Sequence, residues 1–148
     1  MRCLGAAAVL LGLLGGALAT EVICYWASWT SYRTGNGKVT VDDLDPSKCS
    51  IYIYAFATLD ENTLTMKPFD TSLDIDKKGY EKFVAMKKRN SRLRTLLALG
   101  GYNDSGPKYS SMLSSASKRA RFVRRAVAFL REHGFDGLDL DYEYPTAA

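Results

Sequence analysis

The sequence predicts an α/β domain built on a parallel sheet. Three observations carry that expectation. Apolar, β-branched runs alternate with amphipathic helical stretches. The runs are apolar almost without a break, as strands covered on both faces are. Each run also leads, at its C-terminal end, into aromatic, glycine or acidic residues, where parallel sheets hold their ligands.

The elements follow in order. Residues 1–19 are expected to be a secretory signal peptide. Arg2 gives the positive start, Leu4 to Leu18 the apolar run, and Ala17-Leu18-Ala19 a small-x-small cleavage site. The run is shorter than the ~20 residues a spanning helix needs, and no later stretch approaches that length. A secreted, extracellular chain without a membrane partner is therefore expected, with residues 20–148 as one domain. "EVICYWASW" (Glu21 to Trp29) reads as the first strand, carrying Tyr25 and Trp29. "VTVDDLDPSKC" (Val39 to Cys49) reads as a short helix or turn. "IYIYAFATL" (Ile51 to Leu59) is β-branched and aromatic, the strongest strand signal, and holds Phe56. Asp60 to Asp76 is polar and irregular, a long loop.

"GYEKFVAMKKRN" (Gly79 to Asn90) puts Tyr80, Phe83 and Val84 on one helical face, with basic residues in the last turn, where the helix dipole is negative. "LRTLLALGG" (Leu93 to Gly101) is the third strand. A basic amphipathic helix over Lys118 to His133 follows, capped by Ser115 or Ser117 and stopped by Gly134. Phe135 to Glu143 reads as a fourth strand.

The net charge is +4, and much of the basic excess sits in that last helix. A solvated face explains it, and polyanion binding is the sharper alternative. Without aromatic interleaving or a nucleic-acid motif, no nucleic-acid partner is expected. No obligate protein partner is inferred. Cys3 falls in the signal peptide, leaving Cys24 and Cys49 as an even pair, expected to form a disulfide. On the chain-entropy view, closing a loop of about 25 residues contributes roughly 3 kcal/mol. Two cysteines and the lone His133 are too few ligands for a metal site of that kind.

"FDGLDLDYEYP" (Phe135 to Pro145) is the most informative stretch. Side chains alternate across a strand, so Asp139, Asp141 and Glu143 share one face, and Leu138, Leu140 and Tyr142 take the other. Asp136 has the wrong parity and reads as structural. Carboxylates this close cannot all be ionised cheaply. Two functional readings remain open, a hard-cation site or a protonated general acid beside a charge-managing carboxylate, with a solvated edge strand as the structural alternative.

"DGLDLDYE" (Asp136 to Glu143), followed by Tyr144-Pro145, resembles the Asp-x-x-Asp-x-Asp-x-Glu signature of family 18 glycoside hydrolases, the chitinases and their relatives. "CYWASWTSYR", "DLDPSKCSIYIYAFA" and "LRTLLALGGYN" are similar to that family's first three strand regions. The resemblance implies a TIM (β/α)8 barrel and retaining hydrolysis of β-1,4-linked N-acetylglucosamine polymers, with chitin or chitooligosaccharide as partner and neither cofactor nor metal. It implies a substrate-assisted route. Glu143 would protonate the glycosidic oxygen, the substrate's own N-acetyl carbonyl would attack, Asp141 would hold that acetamido group, and Asp139 would tune Asp141. Gly100, Gly101, Tyr102, Asn103, Tyr144, Tyr25, Phe56 and Trp29 would bind sugar. Non-proline cis peptides are implied near Ala55–Phe56 and at Glu143–Tyr144. Tyr102 and Tyr142 depart from the Trp frequent in animal members.

Asn103-Asp104-Ser105 is a formal glycosylation sequon, expected to be unused because a glycan there would fill the sugar cleft. A TIM barrel needs about 250 residues. Four βα units therefore read as its N-terminal half, expected to be nearly silent catalytically alone. A non-catalytic glycan-binding lectin and a polyanion-binding secreted module are the alternative functions.

Overall fold

The structure is a computed structural model that describes residues 20–104 and 106–145. The expected signal peptide lies outside the described residues. Strand β1 (Ile23–Ala27) runs into a 3-10 turn at Ser28–Tyr32, and two further 3-10 turns lead to β2 (Ile51–Asp60). Strand β3 (Thr65–Pro68) folds back on β2. A π turn at Ser72–Asp76 precedes α1 (Gly79–Ala85), which tightens into a 3-10 turn at Met86–Lys88. Then come β4 (Arg94–Gly100), α2 (Pro107–Ser114), α3 (Ala116–Glu132) and β5 (Gly137–Asp141).

The sheet order is β1-β2-β4-β5, all parallel, with β3 antiparallel on β2. Its two faces differ in side-chain size. Trp26, Tyr52, Tyr54, Leu97 and Leu99 point to the helix layer and form the main core with Tyr80, Phe83 and the buried stripe of α3. That stripe is Phe122, Ala126 and Leu130, spaced every four residues as one helical face requires. The other face carries a small cluster of Ile53, Ala55 and Ala98.

This second face is concave. β1 and β5 lie three strand spacings apart, about 14 Å in a flat sheet. Yet the Tyr25 hydroxyl on β1 donates to Asp139 Oδ2 on β5 at 2.7 Å. The sheet therefore curls toward that face, where alanine and glycine leave room for it. Cys24 and Cys49 form the expected disulfide, with Cα atoms 6.1 Å apart, and pin β1 to the segment entering β2.

Several elements differ from expectation. The first strand stops at Ala27, so Trp29 lies in a 3-10 turn. The long loop contains β3: Asp60 accepts the amides of Asn62 and Thr63, and Leu64 takes a positive φ of 53°. That closes a turn and lets Met66 bury beneath the helix layer. Helix α2 was not expected, although Pro107 at its start and Tyr109 and Met112 on one face mark it. The helix after Gly79 is shorter than the pattern suggests. Ser115 supplies the α3 cap and Gly134, at φ 77°, its stop. Strand β5 ends at Asp141, so Glu143 lies just beyond it. Among the described residues, no helix is long and apolar enough to cross a membrane.

Candidate active site

The register decides which side chains meet. Asp139 pairs with Ala98, and Asp141 with Gly100. Residues paired across a ladder face the same way, so both carboxylates join Ala55 and Ala98 on the concave face. Leu138 and Tyr142 pack toward the helices instead. Tyr142 stacks on Tyr109 at 5.2 Å between ring centroids and hydrogen-bonds Ser110, so it lies away from the concave face. Glu143 continues the acidic row from the segment after β5, joined by a cis peptide to Tyr144.

The carboxylates interact. Burial, then the charges of Glu143 and Asp139, pushes the Asp141 carboxyl above its ordinary range. Tyr25 is pushed up by burial and by the Asp139 carboxylate it donates to. The exposed Tyr144 hydroxyl is raised by the Glu143 carboxylate beside it. Asp136 behaves differently. It accepts the Thr95 amide at 2.7 Å and pairs with Lys87 Nζ at 2.8 Å, locking the entry of β5 onto β4. Burial pushes its carboxyl up, but the Lys87 and Thr95 contacts outweigh burial and hold it below the ordinary value. Among the described residues, no group of three or more His, Cys, Asp or Glu side chains is arranged to hold a metal ion.

Beside the acidic row lies a cleft of about 650 Å³. Trp29 and Phe56 stack along it, 5.9 Å apart and 13° from parallel. Gly100, Gly101, Tyr102 and Asn103 form another part of its lining. The two glycines make the junction between cleft and acids. A Cβ on Gly100 would stand 2.1 Å from the Asp141 carbonyl oxygen, and one on Gly101 would stand 2.9 Å from the Phe56 ring. Both residues also have positive φ, 116° and 82°. The Gly101 amide donates to the Asp141 carbonyl at 2.8 Å. Tyr25 and Tyr144 do not line this cleft; they belong to the acidic row.

The cleft has further lining that the sequence reading missed: Tyr32, Phe69, Asp70 and Thr71. Tyr32 donates to Asp70 at 2.6 Å, which holds that carboxyl below its ordinary range. Nothing local in the sequence marks this pair, because 38 residues separate its members. Behind the glycine loop sits a buried hub, also unforeseen. Asp104 accepts from Thr58 at 2.5 Å, from Tyr109 at 2.6 Å, and from Lys108. An acid three residues after the glycine pair that ends β4, and four residues before a lysine, was the available signal.

A family model for "Glycosyl hydrolases family 18" matches residues 21–148. Probable chitinase 10 of Drosophila melanogaster is 44% identical over 132 residues, covering 87% of this chain and 6% of that protein. An endochitinase of Manduca sexta is 37% identical, covering 86% of this chain and 23% of that one. Among solved structures, catalytic domain 2 of Ostrinia furnacalis Group II chitinase, in complex with (NAG)5, superposes with TM-score 0.80 at 48% identity, covering 84% of this chain and 32% of that one. Human YKL-39, described as a pseudo-chitinase with retained chitooligosaccharide binding, superposes with TM-score 0.75 at 33% identity, covering 86% and 34%. The chain thus spans about a third or less of the length of these proteins.

Proposed function

This chain belongs to family 18 of the glycosyl hydrolases, and we propose that it carries the acid-bearing part of a chitinase-like site cleaving β-1,4-linked N-acetylglucosamine polymers with retention. One observation carries this reading. An acidic row ending in Glu143 meets an aromatic cleft at the Gly100-Gly101 pair, where Gly100 pairs with Asp141 and both glycines line the cleft. Stacked Trp29 and Phe56 rings suit the apolar faces of pyranose sugars. Glu143 is the proton donor to the glycosidic oxygen. The substrate's acetamido carbonyl is the nucleophile, and Asp141 holds it. A carboxyl that keeps its proton to higher pH than usual, as Asp141 does, can share that proton with Glu143 or with the acetamide. Asp139, fixed by Tyr25, supplies the charge that tunes Asp141. The disulfide fits an oxidising compartment and supports a secreted protein.

Since the chain spans about a third of the solved catalytic domains, the test supplies the remaining strands. Residues 20–145 are exchanged for the matching segment of the 48% identical Ostrinia domain. The chimera is expected to hydrolyse a fluorogenic chitobioside and to ignore the matching cellobioside, which lacks the nucleophile. Glu143→Gln is expected to lower turnover by about 10²- to 10⁴-fold, the span of general acid catalysis. Full turnover in Glu143→Gln would sink the assignment. The likeness to YKL-39 favours a second reading, glycan binding without hydrolysis. That reading wins if the chain is retained on chitin beads while the chimera stays inactive.

A further inference from the structure

Helix α3 carries Lys118, Arg119, Arg121, Arg124, Arg125 and Arg131, against a single carboxylate, Glu132. No ion pair among the described residues reaches this helix. Arg119 and Arg125 turn onto the backbone carbonyls of Leu113 and Thr63, and Lys118 onto the Ser111 hydroxyl. Arg121, Arg124 and Arg131 are exposed and have no hydrogen-bond partner among the described residues. Helical spacing puts these three on one crest, opposite Phe122, Ala126 and Leu130, with Ala120 and Ala128 beside them. From Arg121 to Arg131 the crest runs about 15 Å.

Arg131 sits in the last turn, where the helix dipole favours a cation, but folding does not ask for the basic residues nearer the N-terminus. Lys118 and Arg119 occupy the first turn, where the helix dipole disfavours cations. Arg121 follows Lys118 by three residues and precedes Arg124 and Arg125 by three and four, the spacings at which like charges repel.

We propose that the Arg121–Arg124–Arg131 crest of α3 binds a linear polyanionic glycan bearing sulfate or uronate groups. Guanidinium forks pair bidentately with the oxygens of such groups, and a straight ridge of them suits a polymer of repeating charge. A membrane surface fits less well. The large exposed apolar side chains on α3 are Val123 and Val127, whereas interfacial helices bury Trp, Phe or Leu. The crest also lacks the aromatic platforms that hold single-stranded nucleic acid. It lies on the helix layer, across the sheet from the concave face, so a bound polymer leaves the cleft open.

The experiment measures binding of the purified chain to immobilised heparin and to polygalacturonate, the sulfate and carboxylate probes, over a series of NaCl concentrations. Arg121→Gln/Arg124→Gln/Arg131→Gln is compared with Lys38→Gln/Lys48→Gln/Lys88→Gln, which removes the same charge from exposed positions elsewhere. Circular dichroism verifies that both fold. Wild type is expected to bind at least one glycan, with affinity falling as salt rises. The crest variant should lose about tenfold or more and show a flatter salt dependence, while the control stays within about twofold. Glu143→Gln should bind as wild type does. Binding to heparin alone assigns sulfate, and binding to polygalacturonate alone assigns uronate. An equal loss in the control would overturn the proposal, as would wild-type binding by the crest variant. Tighter binding to phosphatidylserine vesicles than to either glycan would overturn it too.

Discussion

At the scale of single residues, the same motif holds two aspartates with opposite electrostatics. Asp136 keeps its carboxyl below the ordinary value because Lys87 and Thr95 outweigh its burial. Its stabilising effect is therefore present above the ordinary carboxylate value of about 4 and is lost as pH falls through the lowered one. Asp141 is raised by burial and by its acidic neighbours. Ionised, it costs stability, and the cost is relieved as pH falls through the raised value. Urea denaturation across pH 7 to about 3 should separate them. Asp136→Asn is expected to be less stable than wild type by about 1 kcal/mol at neutral pH, a figure discounted for a partly exposed pair, with the gap closing in acid. Asp141→Asn is expected to be the more stable protein at neutral pH, its advantage vanishing in acid. Parity predicted this division of the motif. It did not predict Tyr25 as the partner of Asp139, because the two are 114 residues apart.

At the scale of elements, strands β4 and β5 leave no room for a Cβ at Gly100, where the site forms. Gly100 faces the Asp141 carbonyl so tightly that any Cβ would force the strands apart. Gly100→Ala is expected to cost at least about 1–3 kcal/mol from the positive φ alone, and more from the clash with backbone. Gly101→Ala meets a side-chain ring instead, which can shift, so its loss should be smaller. Thermal melts of the two variants check the order, and an equal or reversed ranking would contradict it. The glycine pair was legible as a strand terminus with a ligand-facing role. Its second role, giving the Asp141 backbone and the Phe56 ring room to enter, depends on neighbours that local sequence does not name. Strand β3 escaped detection for a related reason. Four residues with one buried side chain, Met66, carry too little alternation to register as a strand until β2 supplies a ladder partner.

At the scale of the whole molecule, curvature and covalent closure shape the site. The Tyr25–Asp139 bond spans the concave face from the first strand of the sheet to the last. The disulfide closes a separation of 25 residues and ties β1 to the segment before β2. It limits the unfolded chain, so Cys24→Ser/Cys49→Ser is expected to lose about 2–4 kcal/mol. That loss should appear as a lower urea midpoint with a similar slope. A midpoint matching that of the oxidised wild type would refute the closure argument. The cleft is also a whole-molecule feature. Trp29, Phe56, Phe69 and Tyr102 come from four separate segments, which the sheet order brings to one opening.

The sequence by itself determined the four parallel strands and the helices after Gly79 and Ser115, the cysteine pair, the stop of the last helix, and the facing of the acidic row. All of these rest on residue type and on spacings of two to four, which the backbone period converts directly into faces and ends. Tertiary structure alone decided what met across those faces. It joined Tyr25 to Asp139 and Tyr32 to Asp70, gathered the Asp104 hub, and set the cleft beside rather than over the carboxylates. These outcomes depend on register, twist and close approach between distant segments, and no local period encodes them.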